Sequence, residues 1–172
     1  MALYALGDLV PTIDPTAFVH PEAVIIGNVT IGPESSIWPG AVLRGDHGAI
    51  RIGAQTSIQD GSILHCTKEN HTIIGDRCVV GHAAHIEGAT VEDDALIGSG
   101  SILMHRVIVR SRAIVAAGAV VTNDTEVPGR ALAMGVPAKI KLDAVEIGAF
   151  DWNVNMYIHN SHWYRKDLRR LD

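Results

Sequence analysis

The sequence predicts an all-β solenoid of triangular section that ends in one α-helix. Three observations predict it. Aliphatic residues recur every six positions through most of the chain. Hydrophobic residues make up 47% of the 172 residues but aromatic ones only 5%, so the core must be built from thin layers of Val, Ile, Leu and Ala. Near the end the six-residue period is replaced by Tyr164, Leu168 and Leu171, spaced i, i+4, i+7 as on one face of a helix.

The repeat begins with Val19, Ile25, Ile31, Ile37 and Leu43. It resumes after short slips at Ile52, Ile58, Leu64; at Ile74, Val80, Ile86; at Val91, Ile97, Leu103; and at Val109, Val115, Val121. Four residues after most of these sits something small, such as Ala23, Ser35, Thr56, Cys78, Ala95 or Ala113. A period of six fits neither a helix nor a hairpin. It fits one short strand and one corner per hexad, with three hexads closing a coil. The aliphatic side chain then points inward and the small one packs at the corner. The repeat is expected over about residues 12–125.

The stretch 123–140, with Pro128, Gly129, Gly135 and Pro137, reads as an exit segment. The terminal stripe reads as a short helix with Ser161 as N-cap, packed back on the solenoid. The expected division is a solenoid domain over 1–140 and a helical extension over 141–172.

Composition excludes several classes. A net charge of −5 argues against nucleic acid as a partner. Cys66 and Cys78 form no CxxC pair and no disulfide framework, so a reducing compartment is expected and both read as packing residues. The first residues lack a basic, apolar leader, and no run is long enough for a membrane span; a cytoplasmic protein is expected.

The repeat also places the polar residues. The residue after the third aliphatic position of successive coils is Arg44, His65, Glu87 and Met104. These should stack in one column at the strand spacing of about 4.8 Å. His85, two residues before Glu87, should share that outer face. His82 belongs nearer a different corner. It can meet a His65 only if a second chain packs against that face, as three prisms around a three-fold axis would. His20, His47, His105, His159 and His162 have no constellation around them and read as surface residues.

The motifs LRGD (43–46), TSIQDGSILH (56–65) and VGH (80–82) resemble the γ-class carbonic anhydrases, which are left-handed parallel β-helices of hexapeptide repeats with a C-terminal helix. The resemblance implies a homotrimer whose zinc is held by three histidines, two from one chain and one from its neighbour. His65 would be a ligand and His82 the ligand offered across the interface. Arg44 and Asp46 would form interface ion pairs, and Gln59 and Asp60 would orient groups near the metal-bound water. Asn160 and Tyr164 look like the polar pair that the terminal helix brings to the site. The family's third histidine is replaced by Glu87, before Gly88, with His85 two residues earlier. Three outcomes are open: Glu87 supplies a carboxylate ligand, His85 swings in with Glu87 orienting it, or metal affinity is weakened or lost. Zinc is the expected cofactor, and iron or cobalt would suit mixed imidazole and carboxylate ligands. The acidic loop of some family members is missing, and their proton-shuttle glutamate has no evident match; Glu69 and His71 are the nearest candidates.

The function implied is reversible hydration of CO2 to bicarbonate by a metal-bound hydroxide at a subunit interface. Two alternatives stand beside it. The segment 116–140 resembles the tail of hexapeptide-repeat acyltransferases, which use coenzyme A. A non-catalytic trimeric scaffold with a degenerate metal site is the other.

Overall fold

A computed structural model of the chain describes residues 2–172. Three ladders of parallel strands wrap around one axis, forming the three faces of a left-handed β-solenoid, and one helix follows. The strands Ile63–His65, His85–Glu87, Ile102–Leu103 and Val120–Val121 build the first face. The second is built by Thr72–Ile74, Thr90–Val91, Ile108–Val109 and Glu126–Val127. The third runs from Phe18–Val19 through Ser57–Ile58 and Val79–Val80 to Leu132–Met134. Two long strands, Val24–Ile31 and Val42–Ile52, bend through a corner and belong to both the first and second faces.

The hexad positions form the core as the sequence predicts. Of the aliphatic residues in the repeat, all but the half-buried Val19 are at most 3% exposed, and they stack coil on coil, as Ile37, Ile58 and Val80 do. Cys66 and Cys78 are both free and fully buried among them. Burial drives the Cys78 thiol up to about 12, which leaves it an inert packing group.

Two expectations need correction. The solenoid runs past residue 125: Val127 and Ala133 continue the inward column, and Leu132–Met134 pairs with Ile114–Val115 before an antiparallel strand, Lys139–Lys141, covers the edge. Pro128 and Gly129 occupy a corner rather than an exit, and an alanine replaces the aliphatic residue at 133. The helix, α1, spans Asp151–Asp167, well upstream of the predicted stripe. Ser161 is not its cap; it is buried in mid-helix and donates its hydroxyl to the Ile158 carbonyl at 2.8 Å. Leu168 is the C-cap, and Leu171 lies beyond the helix, 86% exposed. The face that meets the solenoid is Val154, Tyr157, Ser161 and Tyr164, because the aromatic rings of the third face recruit both tyrosines. Trp38 stands 5.8 Å from Tyr157 and 5.0 Å from Tyr164 between ring centroids, edge to face. Its indole N–H is shared by the hydroxyls of Ser36 and Ser57.

Both ends of α1 are clamped. Arg77 reaches Asp151 at 2.8 Å, and Arg165 donates to the carbonyls of Pro15 and Ala17. The helix thus runs along the early coils of the third face. No described helix is long and apolar enough to cross a membrane.

Ile58 tests the register. Ile58→Asp should abolish the cooperative thermal transition, because an unpaired charge in this layer costs several kcal/mol. Ile58→Val should cost only about 1 kcal/mol. Calorimetry of the two variants checks both.

Candidate active site

The polar column forms because adjacent coils lie in register. Arg44 is paired with His65 across the first face, and His65 with Glu87. Gly45 is fixed by the packing beneath it: a Cβ there would lie 2.6 Å from the Asn28 carbonyl oxygen, so only glycine lets the two coils close. Arg44 and Asp46 on either side of it pair with each other within one chain. Asp46 also reaches His65, its Oδ1 3.0 Å from Nε2. Burial pushes the Asp46 carboxyl up, but the hydrogen bonds from His65 and Arg44 outweigh it and hold the group below the usual carboxylate range.

On its other side, His65 Nδ1 lies 2.9 Å from Glu87 Oε1. Glu87 gathers two further imidazoles: His85 Nε2 is 3.5 Å from Oε2, and His105 Nε2 is 3.7 Å from Oε1. The hydrogen bond from His65 is the main cause holding the Glu87 carboxyl below its ordinary value, against partial burial, with His105 and His85 adding to it. His85 also stands in a second outward column, where strand pairing aligns Val24, Val42, Ile63, His85, Ile102 and Val120. It is the only polar member of that aliphatic column.

A separate group sits at the corner leading into the first face. His82 Nδ1 is 2.8 Å from Asp60 Oδ2, and both side chains are about half exposed. The carboxylate takes the Nδ1 hydrogen, which leaves Nε2 as the free ring nitrogen. Gln59 beside it is buried and lies near the Tyr157 hydroxyl of α1. Tyr164 lies elsewhere, with Trp38 and Phe18, and Asn160 is half-buried on α1 with no side-chain hydrogen bond among the described residues. His82 shares no hydrogen bond or ion pair with His65. Among the described residues, no three His, Cys, Asp or Glu side chains converge to hold a metal ion within one chain.

Residues 11–45 and 88–123 match the family model "Bacterial transferase hexapeptide (six repeats)", and residues 71–104 match "Hexapeptide repeat of succinyl-transferase". Over 160 residues the chain is 44% identical to "Gamma carbonic anhydrase 2, mitochondrial" of Arabidopsis thaliana, a stretch covering 88% of this chain and 58% of that protein. It is 41% identical to the "Carnitine operon protein CaiE" of Escherichia coli over 139 residues, 81% of this chain and 71% of that one. The chain belongs to the γ-class carbonic anhydrase family of hexapeptide-repeat proteins. It spans a little over half the length of its plant relatives, 58%. Among solved structures, a hexapeptide transferase family protein from Anaplasma phagocytophilum superposes with a TM-score of 0.90 at 34% identity, covering 95% of this chain and 98% of that one.

Three residues of the two clusters escaped the sequence reading: His105, Asn70 and Tyr157. His105 is not a plain surface residue, because its ring leans over Gly88 toward Glu87. The signal was present, since His105 follows Met104, the next residue of the column. Tyr157 was hidden by placing the helix too late. Its phenol is pushed above the ordinary value of 10.0 by burial and by the nearby charge of Asp60, with the nearby Gln59 side chain opposing. Because the folded value is raised, the stabilisation is complete below the unfolded phenol value and is lost as pH rises through the folded one. Tyr157→Phe should remove one late step from an ultraviolet absorbance titration of the folded protein and weaken its alkaline unfolding.

Proposed function

We propose that the chain is a metal-dependent γ-type carbonic anhydrase, hydrating CO2 to bicarbonate at a site formed between copies in a homotrimer. The observation that carries this is the division of the donors. His65 and Glu87 touch in one column, while His82, with its Nε2 left free by Asp60, lies at another corner of the same prism. A second copy docked on the first face brings its own His82 to them. The outward aliphatic column supports docking there, with Ile63 46% exposed to solvent in the single chain.

The donor chemistry fits a divalent ion. Two imidazoles and a carboxylate suit zinc, and iron(II) or cobalt(II) as well. His65 and Glu87 would be the donors of one protomer and His82 that of its neighbour. A bound ion of this kind supplies the Lewis acidity that makes water a nucleophile near neutral pH. The protein's own part is positioning. Asp60 fixes the ring of His82, His85 steadies the free oxygen of Glu87, and Arg44 draws on Asp46 beside His65. Gln59, buried near Tyr157, borders the junction as a polar group. Ile63 and Met104 place apolar surface beside the donors, suited to a non-polar gas.

Metal content, CO2 hydration and sedimentation on one purified sample test the reading. A trimer carrying one divalent ion per chain and active in hydration is expected. His65→Ala and His82→Ala should each lose metal and activity, and His85→Ala should be mild. Glu87→His should raise hydration several-fold near neutrality, since a neutral ligand leaves the ion more electrophilic. Full metal occupancy in both alanine variants at 65 and 82 would end this reading. Acetyl-coenzyme A turnover without hydration would favour the acyltransferase alternative, to which the hexapeptide transferase relative lends weight.

A further inference from the structure

We infer that His105, oriented by Asn70, is a positioning residue that holds Glu87 for the proposed metal site. The inference rests on that reading of Glu87 as a ligand, and it concerns residues outside every motif that carries the family resemblance.

The orientation follows from which groups can donate. The Asn70 amide nitrogen is only a donor, and it lies 3.3 Å from His105 Nδ1 and 3.2 Å from the Thr67 hydroxyl. Asn70 is anchored a second time, its backbone N–H donating to the same Thr67 oxygen at 3.1 Å. His105 Nδ1 therefore accepts, and the ring hydrogen sits on Nε2. That nitrogen faces Glu87 Oε1 at 3.7 Å, so the N–H of the neutral ring points its positive end at the carboxylate. The three residues come from different coils: Asn70 from the loop after His65, Glu87 from the next strand of the face, His105 from the corner above.

Gly88 makes the approach possible. It has φ +63°, and a Cβ there would lie 2.6 Å from Asn70 Cβ and 3.4 Å from His105 Nδ1. The missing side chain is the space in which the amide and the imidazole meet beside the carboxylate. His65 is Glu87's other close partner on the same oxygen, so His105 limits how far that oxygen can turn when an ion takes the place of the His65 hydrogen.

Cobalt(II) binding to the intact oligomer, followed by its visible spectrum, tests the role. His105→Leu should weaken cobalt affinity about 10–100-fold and alter the spectrum. His105→Gln, whose amide can donate from nearly the same place, should restore both. In a Glu87→His background, His105→Leu should change little, because its effect passes through the carboxylate. Equal affinity in wild type and His105→Leu, with binding still abolished by His65→Ala, would overturn this role alone. A loss that persists undiminished in the Glu87→His background would overturn it too, marking His105 as merely structural. Cobalt bound equally well by His65→Ala would remove the metal reading itself. In metal-free protein, ring nitrogen chemical shifts should place the His105 hydrogen on Nε2, and a hydrogen on Nδ1 would refute the orientation.

Discussion

The stacking of one coil upon the next at strand spacing is the constraint on which everything else depends. It turns a linear interval into a contact: His65 and Glu87 are 22 residues apart in sequence and 2.9 Å apart at their side chains. The inward aliphatic layers fix this register, because a slip by one residue would turn every core side chain outward. The polar column has no register of its own. It inherits its geometry from Leu43, Leu64 and Ile86, each fully buried one residue before a member of the column. Core packing and site geometry are therefore one property read on two sides of the same strands.

Electrostatics then gives the column its character. His65 lies between two carboxylates, Asp46 at Nε2 and Glu87 at Nδ1, and His82 rests on a third, Asp60. Arg44 is a fixed cation beside them, and it is committed to Asp46. Such a cluster of carboxylates attracts a cation. Both carboxylates at His65 are held below their usual values, so they remain ionised through the neutral range.

The fold was almost wholly legible because a six-residue period has a single structural reading, and the column could be drawn from it before any coordinates. What was missed has physical causes. Val127, six residues after Val121, carried the signal for the last coil, but the Pro128–Gly129 pair beside it and an alanine at 133 masked it. The helix was displaced because its contact face is aromatic and polar, with Tyr157, Ser161 and Tyr164 meeting Trp38 and Phe18, so an aliphatic stripe was the wrong signal. The Asn70–His105 contact was invisible for another reason: it joins the loop that interrupts the hexad period after His65 to the side chain of a corner residue, whose direction the period does not set. The side-chain pairing of Asp60 with His82 was likewise beyond the repeat, which places backbones but not rotamers.

Position 87, where the family resemblance implies a histidine, looks different once its neighbours are in view. An imidazole at position 87 could accept at most one hydrogen bond through its ring. A carboxylate offers two oxygens, and those of Glu87 face His65, His85 and His105 together. The two additional histidines have no carboxylate to turn to if Glu87 is replaced by a neutral ring, and Glu87 without them would be a partly buried charge held by His65 alone. The three residues therefore form one set, in which Glu87 is the acceptor of His65 and two further imidazoles turn a ring nitrogen toward its oxygens.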